Sequence, residues 1–270
     1  MIRDAIKAHG PFQGMSSLVY AKGSYANNTN VRADSDVDIA VECTEATYWG
    51  EQTPGAHPPL GKYTGEWTPT KLRRELVAAL KAKLGDDVDT SSTTAIQVHS
   101  SAARVEADVV PCFRYKHYLS ATNYREGAKV FRTDGTEVIN YSALQLAKGR
   151  AKNNNTNGAF KKTVRILKRL ENVMVEGGYH REVPSFLVEC LVYNCPDDHF
   201  GRSSWTSVVK GVLGHIYVSL ASEAEPINQG KRWLEVSEAK YLFADGKKWT
   251  RKDARDFAYA GWNYLGLGKV

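Results

Sequence analysis

In the stretch DVDIAVE, residues 36–42, apolar and polar side chains alternate, so Val37, Ile39 and Val41 fall on one face of an extended chain and Asp36 and Asp38 on the other. Related β-like patterns occur in SLVYAKGS (17–24), TTAIQVHS (93–100), RVEADVVPCF (104–113) and KHYL (116–119), which predicts further strands there. Asp134-Gly135 supplies a hairpin turn. A helical period replaces the alternation in TPTKLRRELVAALKAKLG (68–85), where Thr68 stands at the cap, Pro69 in the first turn and Gly85 past the end. Residues 2–9 read as a shorter helix, and EQTPGAHPPLGKYTGEW (51–67), rich in Pro and Gly, reads as a surface loop.

From about Tyr141 the helical period dominates, in AFKKTVRILKRLENVMVEGG (159–178), VPSFLVECLVYNC (183–195), SSWTSVVKGVLGHIYVSLASE (203–223) and RKDARDFAYAGWNYLG (251–266). GRAKNNNTNG (149–158) reads as a polar loop or the start of a helix. A mixed front and an all-helical back predict an α+β chain in two lobes, a mixed-sheet lobe over residues 1–140 and a helical lobe over 141–270. Clefts between lobes are favoured ligand sites, so the active site is expected there.

Composition changes this picture little. The 270 residues are 42% hydrophobic and 24% charged, ordinary globular usage. No apolar run approaches the roughly 18 to 20 residues that span a bilayer, and MIRDAIKAHG lacks the apolar stretch of a secretory signal, so a cytoplasmic protein without a membrane partner is expected. Cys43, Cys112, Cys190 and Cys195 are too irregularly spaced for a disulfide framework. Cys190, Cys195 and His199 lack paired zinc-ligand spacing and read as helix packing and helix-end residues. The net charge of +6 points to anionic partners, nucleotides or nucleic acid, and much of the excess lies in KKTVRILKRL (161–170), where Val164, Ile166, Leu167 and Leu170 supply a buried side ringed by cations.

The chemistry starts from the carboxylates. Asp36 and Asp38 repel one another, and a divalent cation bound between them relieves that repulsion. Mg2+, which prefers hard oxygen ligands and substrate phosphates, suits the pair, and Mn2+ is an alternative. Asp108, inside an otherwise apolar strand, needs a partner; beside the first strand it completes a three-carboxylate site for two metals and an in-line displacement at phosphorus. Gly23-Ser24 ends an upstream apolar strand, where backbone N–H groups and a hydroxyl can close on phosphate oxygens.

A Gly-Ser, an Asp-x-Asp about a dozen residues later and a third Asp in a later strand resemble the nucleotidyltransferase superfamily of polymerase β type. NNTNVRADSDVDIAVE, followed by FKKTVRILKRL and VPSFLVECLVYN, resembles the cGAS/DncV-like nucleotidyltransferases, bacterial enzymes that make cyclic or linear oligonucleotide signals in antiphage (CBASS) defence. The resemblance runs from about Leu18 to Cys195. It implies that Lys168 and Ser185 hold the donor triphosphate and that Phe186 stacks on a base, although Phe186, at helical spacing with Val183 and Cys190, equally fits a core position. Clade E of the family favours pyrimidine nucleotides and uses an asparagine of the helical lobe to read uracil; in NNNTNG the candidates are Asn154 and Asn157.

The resemblance thus implies a Mg2+-dependent enzyme, acting as a monomer on UTP and ATP and making a uridine-containing cyclic dinucleotide. No nucleic-acid activator is expected, since neither a zinc insertion nor a long basic spine is evident; constitutive activity, or control by a partner protein or metabolite, fits better. Two alternatives remain at this level: a nucleotidyltransferase acting on an RNA end or an antibiotic hydroxyl, and a catalytically silent nucleic-acid-binding module, against which the presence of all three acids argues.

Overall fold

The computed structural model describes residues 1–31, 36–61, 63–102 and 104–268. Contacts divide the chain into two units, with the break after Ala143, three residues beyond the lobe boundary expected from the sequence. Asn27–Val31 belongs by its contacts to the second unit, which no periodicity signals.

The first unit is built on seven strands: β1 (Ser17–Ala21), β2 (Val37–Glu51), β3 (Val88–Asp89), β4 (Ile96–Val98), β5 (Ala107–Ser120), β6 (Asn123–Phe131) and β7 (Glu137–Asn140). The sheet order is β1-β2-β5-β4-β3, and β6 also pairs with β5 and then with β7. Among the described residues, only β2 and β5 pair parallel. Both central strands are longer than the sequence pattern suggests. The stretch CTEATYWGE prolongs β2 past a register shift between Cys43 and Thr47, and RVEADVVPCF and KHYL merge into the single strand β5. Buried on both faces, β5 loses the clean alternation by which a half-exposed strand is recognised.

Helices α1 (Ile2–Ala8) and α3 (Pro69–Leu84) cover one face of this sheet. Ile2, Ile6, Leu72, Leu76 and Leu80 pack there with Val41, Cys43, Ile96, Val109 and Phe113. The caps of α3 are those that the sequence predicts: Thr68 Oγ1 accepts from the Lys71 N–H at 3.2 Å, and Gly85 takes φ +62° past the last turn. On the opposite face the neighbours of Asp38 and Asp108 are small, with Ala40, Val110, Cys112, Ala128 and Val130 forming a separate cluster. Glu42 is buried there, accepts from the Tyr20 hydroxyl at 2.9 Å and faces Arg114 at 3.6 Å. Burial pushes the Tyr20 hydroxyl and the Cys112 thiol well above their usual ranges.

The second unit packs α4 (Ser142–Asn155), α5 (Ala159–Glu176), α6 (Ser185–Tyr193), α7 (Trp205–Ser219) and α8 (Arg251–Tyr264) around one core. Phe160, Val164, Leu167 and Met174 recur down α5 at helical spacing and are buried in that core. Cys190 and Cys195 also lie inside it, their thiols pushed up by burial, Cys195 to about 12. The polar run 149–158 is mostly the end of α4, followed by a tight corner in which Asn157 and Gly158 take φ +50° and +82°. Two side chains there cap the start of α5: Asn153 Oδ1 accepts from the Lys161 N–H and Thr156 Oγ1 from the Phe160 N–H, both at 3.1 Å.

Arg73 fastens α3 to the loop before β4. Its guanidinium donates to the carbonyls of Ser92, Thr94 and Ala95 at 2.8, 3.1 and 3.2 Å. Arg73→Met leaves those carbonyls without their donor and is expected to lower stability by about 1.5–3 kcal/mol, the scale of bonds to a charged group. Urea unfolding followed by circular dichroism measures the loss.

Candidate active site

The parallel pairing of β2 and β5 sets Asp38 directly beside Asp108, and the antiparallel pairing of β4 and β5 sets Gln97 beside Asp108 on its other flank. Lys22, just past β1, bonds its backbone N–H to the Asp38 carbonyl at 2.9 Å and its ammonium to Asp38 Oδ1 at 3.0 Å. A row of four polar side chains, Lys22, Asp38, Asp108 and Gln97, therefore crosses the sheet on the face that α1 and α3 leave uncovered. Adjacent strands lie about 4.8 Å apart, so the two carboxylates cannot avoid one another.

The electrostatics of Asp108 follow from this placement. Burial, then the charges of Asp38 and Asp36, push its carboxyl above the usual carboxylate range, against the opposing effects of a Gln97 hydrogen bond and of Lys22. Its Oδ1 is buried without a hydrogen-bond partner. Asp36 is exposed, one residue before β2 begins.

Gly23 and Ser24 form the first turn of the five-residue helix α2 (Gly23–Asn27), rather than the flexible strand end that the sequence suggests. Gly23 has φ +68°, and a Cβ on it would lie 2.0 Å from Asp38 Oδ2, so a side chain there would occupy the space of the carboxylate. Ser24 is half-buried.

A divalent cation suits this donor set. Asp36, Asp38 and Asp108 offer hard oxygen ligands, Asp108 Oδ1 is an unmet acceptor, and the raised Asp108 carboxyl reports like charges that a cation would compensate. Among the described residues, no three acidic, thiol or imidazole groups already converge as a closed cage, and one oxygen of Asp38 is turned to Lys22.

The expected triphosphate residues lie in the second unit. Lys168 is almost fully buried, with its Nζ 3.3 Å from both Glu189 Oε2 and Thr29 Oγ1. Ser185 is exposed at the first position of α6, and Glu189 is one turn further along the same helix, so the pairing with Glu189 brings Lys168 to the Ser185 side of α6. Lys161, two turns before Lys168 on α5, is half-buried, and burial, then Arg150, hold its ammonium below the usual lysine range, with Arg165 acting the same way and Glu189 opposing. Lys168 is paired with Glu189, and Arg150 and Arg165 add positive charge around Lys161, an arrangement that favours an anion.

Phe186 is half-buried and packs on the helical core, its ring 6.2 Å from that of Trp249 and tilted 58°. Asn154 is exposed and its carbonyl accepts from the Asn157 N–H at 3.1 Å. Asn157 lines a cavity of about 420 Å³ together with Lys162, Ser204 and the half-exposed Trp205. The structure thus gives Asn153 and Thr156 to backbone capping and places Asn157 at a cavity.

Sequence reasoning passed over Lys22, Gln97, Thr29 and Glu189. Lys22 carried a usable signal, a cation immediately before the Gly-Ser step. The other three meet their partners only through strand register or helix packing.

The profile of the cGAS/DncV-like nucleotidyltransferase C-terminal helical domain matches residues 147–266. The cyclic dipyrimidine nucleotide synthase CdnE of Cecembia lonarensis is 34% identical over 269 residues, 98% of this chain and 90% of its own length. A cyclic dipurine nucleotide synthase of Elizabethkingia meningoseptica is 32% identical over 261 residues, 94% of this chain and 86% of its own. The solved structure of the Rhodothermus marinus CdnE c-UMP-AMP synthase with Apcpp and Upnpp aligns with a TM-score of 0.84 at 27% identity, over 100% of this chain and 90% of that one. With a mixed-sheet unit bearing paired carboxylates and a helical unit that matches the family profile, this chain belongs to the cGAS/DncV-like nucleotidyltransferase family and is a nucleotidyltransferase.

Proposed function

We propose that this enzyme makes a cyclic dinucleotide containing at least one uridine, from UTP alone or from UTP with ATP, as a bacterial antiphage signal. The observation that carries the catalytic part is the forced pairing of Asp38 with Asp108 and its unmet Oδ1. The likeness to a cyclic dipyrimidine synthase along 98% of the chain supports the uridine part. The dipurine synthase at 32% identity is the competing precedent, so the base is the point to test.

In this reading Asp36, Asp38 and Asp108 hold two Mg2+ ions, or Mn2+, on the open face of the sheet. Such ions, when bound, supply a more acidic attacking hydroxyl and counter-charge for the triphosphate. Gly23 leaves room at Asp38 for substrate oxygens, and Ser24 offers a hydroxyl. Lys168 and Ser185 hold the donor triphosphate, with Phe186 at the base edge of α6. Asn157, or Asn154, reads the pyrimidine by donating and accepting at once. The enzyme works as a monomer in the cytoplasm, needs no polynucleotide, and is controlled by a protein or metabolite.

Asp36→Asn, Asp38→Asn and Asp108→Asn are each expected to abolish nucleotide incorporation without unfolding the protein, since each removes a ligand charge and no core packing. Full activity in Asp38→Asn would overturn the carboxylate assignment.

Asp108→Asn is also expected to raise Tm in metal-free buffer near neutral pH. The folded-state pKa of Asp108 lies above the ordinary 3.8, so the native chain holds that proton more tightly than the unfolded one. Its contribution to stability is therefore greatest at low pH and declines as pH rises from 3.8 through the folded value, leaving a net cost at neutrality. Solvent reaching the half-buried carboxylate limits the gain to about 1 kcal/mol, or roughly 2–4 °C for a chain of this size. Melts at pH 4 and pH 7.5 check both the sign and the pH dependence.

For the product, UTP alone, ATP alone and the mixture are incubated with Mg2+ and no polynucleotide, then resolved by chromatography and mass spectrometry. A phosphatase-resistant product containing uridine is expected. Products built from purines alone, or a strict need for an RNA end or a drug hydroxyl, would overturn the proposal. A site that reads a base by hydrogen bonds rejects the wrong one strongly, so Asn157→Ala is expected to blur uridine selectivity while sparing total turnover.

A further inference from the structure

The segment Asn27–Val31 follows the Gly23-Ser24 turn and ends five residues before Asp36, yet its contacts lie with the helices of the second unit. One side chain anchors it. Thr29 is fully buried, and its hydroxyl is used twice: it donates to Glu189 Oε2 at 2.9 Å and lies 3.3 Å from Lys168 Nζ, from which it accepts. Glu189 is almost fully buried as well, and its other oxygen accepts from Gln145 Nε2 at 3.2 Å. Arg165 adds a bond from the next turn of α5 to the Asn28 carbonyl at 2.6 Å.

This network is closed on itself. Both oxygens of Glu189 are used, the Thr29 hydroxyl is both donor and acceptor, and Lys168 puts two of its three donors into the pair. The ammonium keeps one donor beyond the two it gives to Thr29 and Glu189. A buried cation held by a carboxylate and a hydroxyl is a preorganised donor, whereas a free lysine must lose rotamer entropy as it binds.

We propose that Thr29 is a positioning residue for the nucleotide: with Glu189 it aims the Lys168 ammonium at the donor triphosphate, and it fastens the segment leading to Asp36 to that same ammonium. The proposal rests on the reading of Lys168 as a triphosphate ligand. Neither the charge of Thr29, which is zero, nor contact with substrate is required.

The test is a double-mutant cycle read by calorimetry with a non-hydrolysable UTP analogue, alongside steady-state kinetics. Thr29→Val keeps the shape and removes the hydroxyl; it is expected to weaken the analogue about tenfold, the scale of one charge-assisted hydrogen bond. Thr29→Ser, which restores the hydroxyl, is expected to recover most of that loss, which a role in packing alone would not predict. In a Lys168→Met background, Thr29→Val is expected to change affinity no further, since the ammonium it aims is gone. Additive losses, or a Thr29→Ser variant as weak as Thr29→Val, would overturn the proposal. If Thr29→Val does not fold, Glu189→Gln takes its place in the cycle, where coupling to Lys168→Met supports the network and additivity overturns it. Unchanged affinity in Lys168→Met alone would instead remove the triphosphate reading, a failure visible before any Thr29 variant is measured.

Discussion

Backbone hydrogen bonds hold two carboxylates of like charge side by side, and the rest of the first unit is arranged around that repulsion. The parallel register of β2 and β5 leaves Asp38 no position other than beside Asp108, because a slip of one residue would turn Val37, Ile39 and Val41 away from α1 and α3. The apolar face therefore enforces the polar one. Lys22 meets one oxygen of Asp38 and Gln97 moderates Asp108, but Asp108 Oδ1 is left without a partner, a cost that a folded chain sustains where function requires it.

The second unit handles charge differently. Helix α5 uses Phe160, Val164, Leu167 and Met174 to build the core, and beside that stripe it buries Lys168 against Glu189. A buried ion pair is weak evidence for stability, since desolvation offsets much of the attraction, but breaking one is expensive. What the pair provides here is direction. Each polar atom in the Lys168, Thr29 and Glu189 cluster has a partner inside the unit, so the ammonium is held in one geometry.

Local chemistry explains which parts of this were legible in the sequence. Thr68, Pro69 and Gly85 mark the ends of α3 because capping is a matter of neighbours, and Asp36 and Asp38 share a face because strand geometry alternates. The length of β5 was not legible, since a strand buried on both faces loses its alternation, and β2 runs on past its apolar stretch through a register shift after Cys43. The run NNNTNG reads as polar and loop-like, yet its first half, Asn153 to Asn155, continues α4 before the corner at Asn157 and Gly158. Packing on the helical core decided that, through Thr156 and Asn153 holding the start of α5. Thr29 and Glu189 lie 160 residues apart, and nothing in either neighbourhood announces the other.

The path of the chain explains why so distant a pair matters. After Gly23-Ser24 the backbone joins the helical unit for Asn27–Val31, and it reaches Asp36 five residues later. Asp36 precedes the first ladder residue of β2, so the sheet alone does not hold it as it holds Asp38 and Asp108. The Thr29 hydroxyl thus acts within the second unit, where it holds Lys168 and Glu189 in one geometry although it lies far from both in sequence.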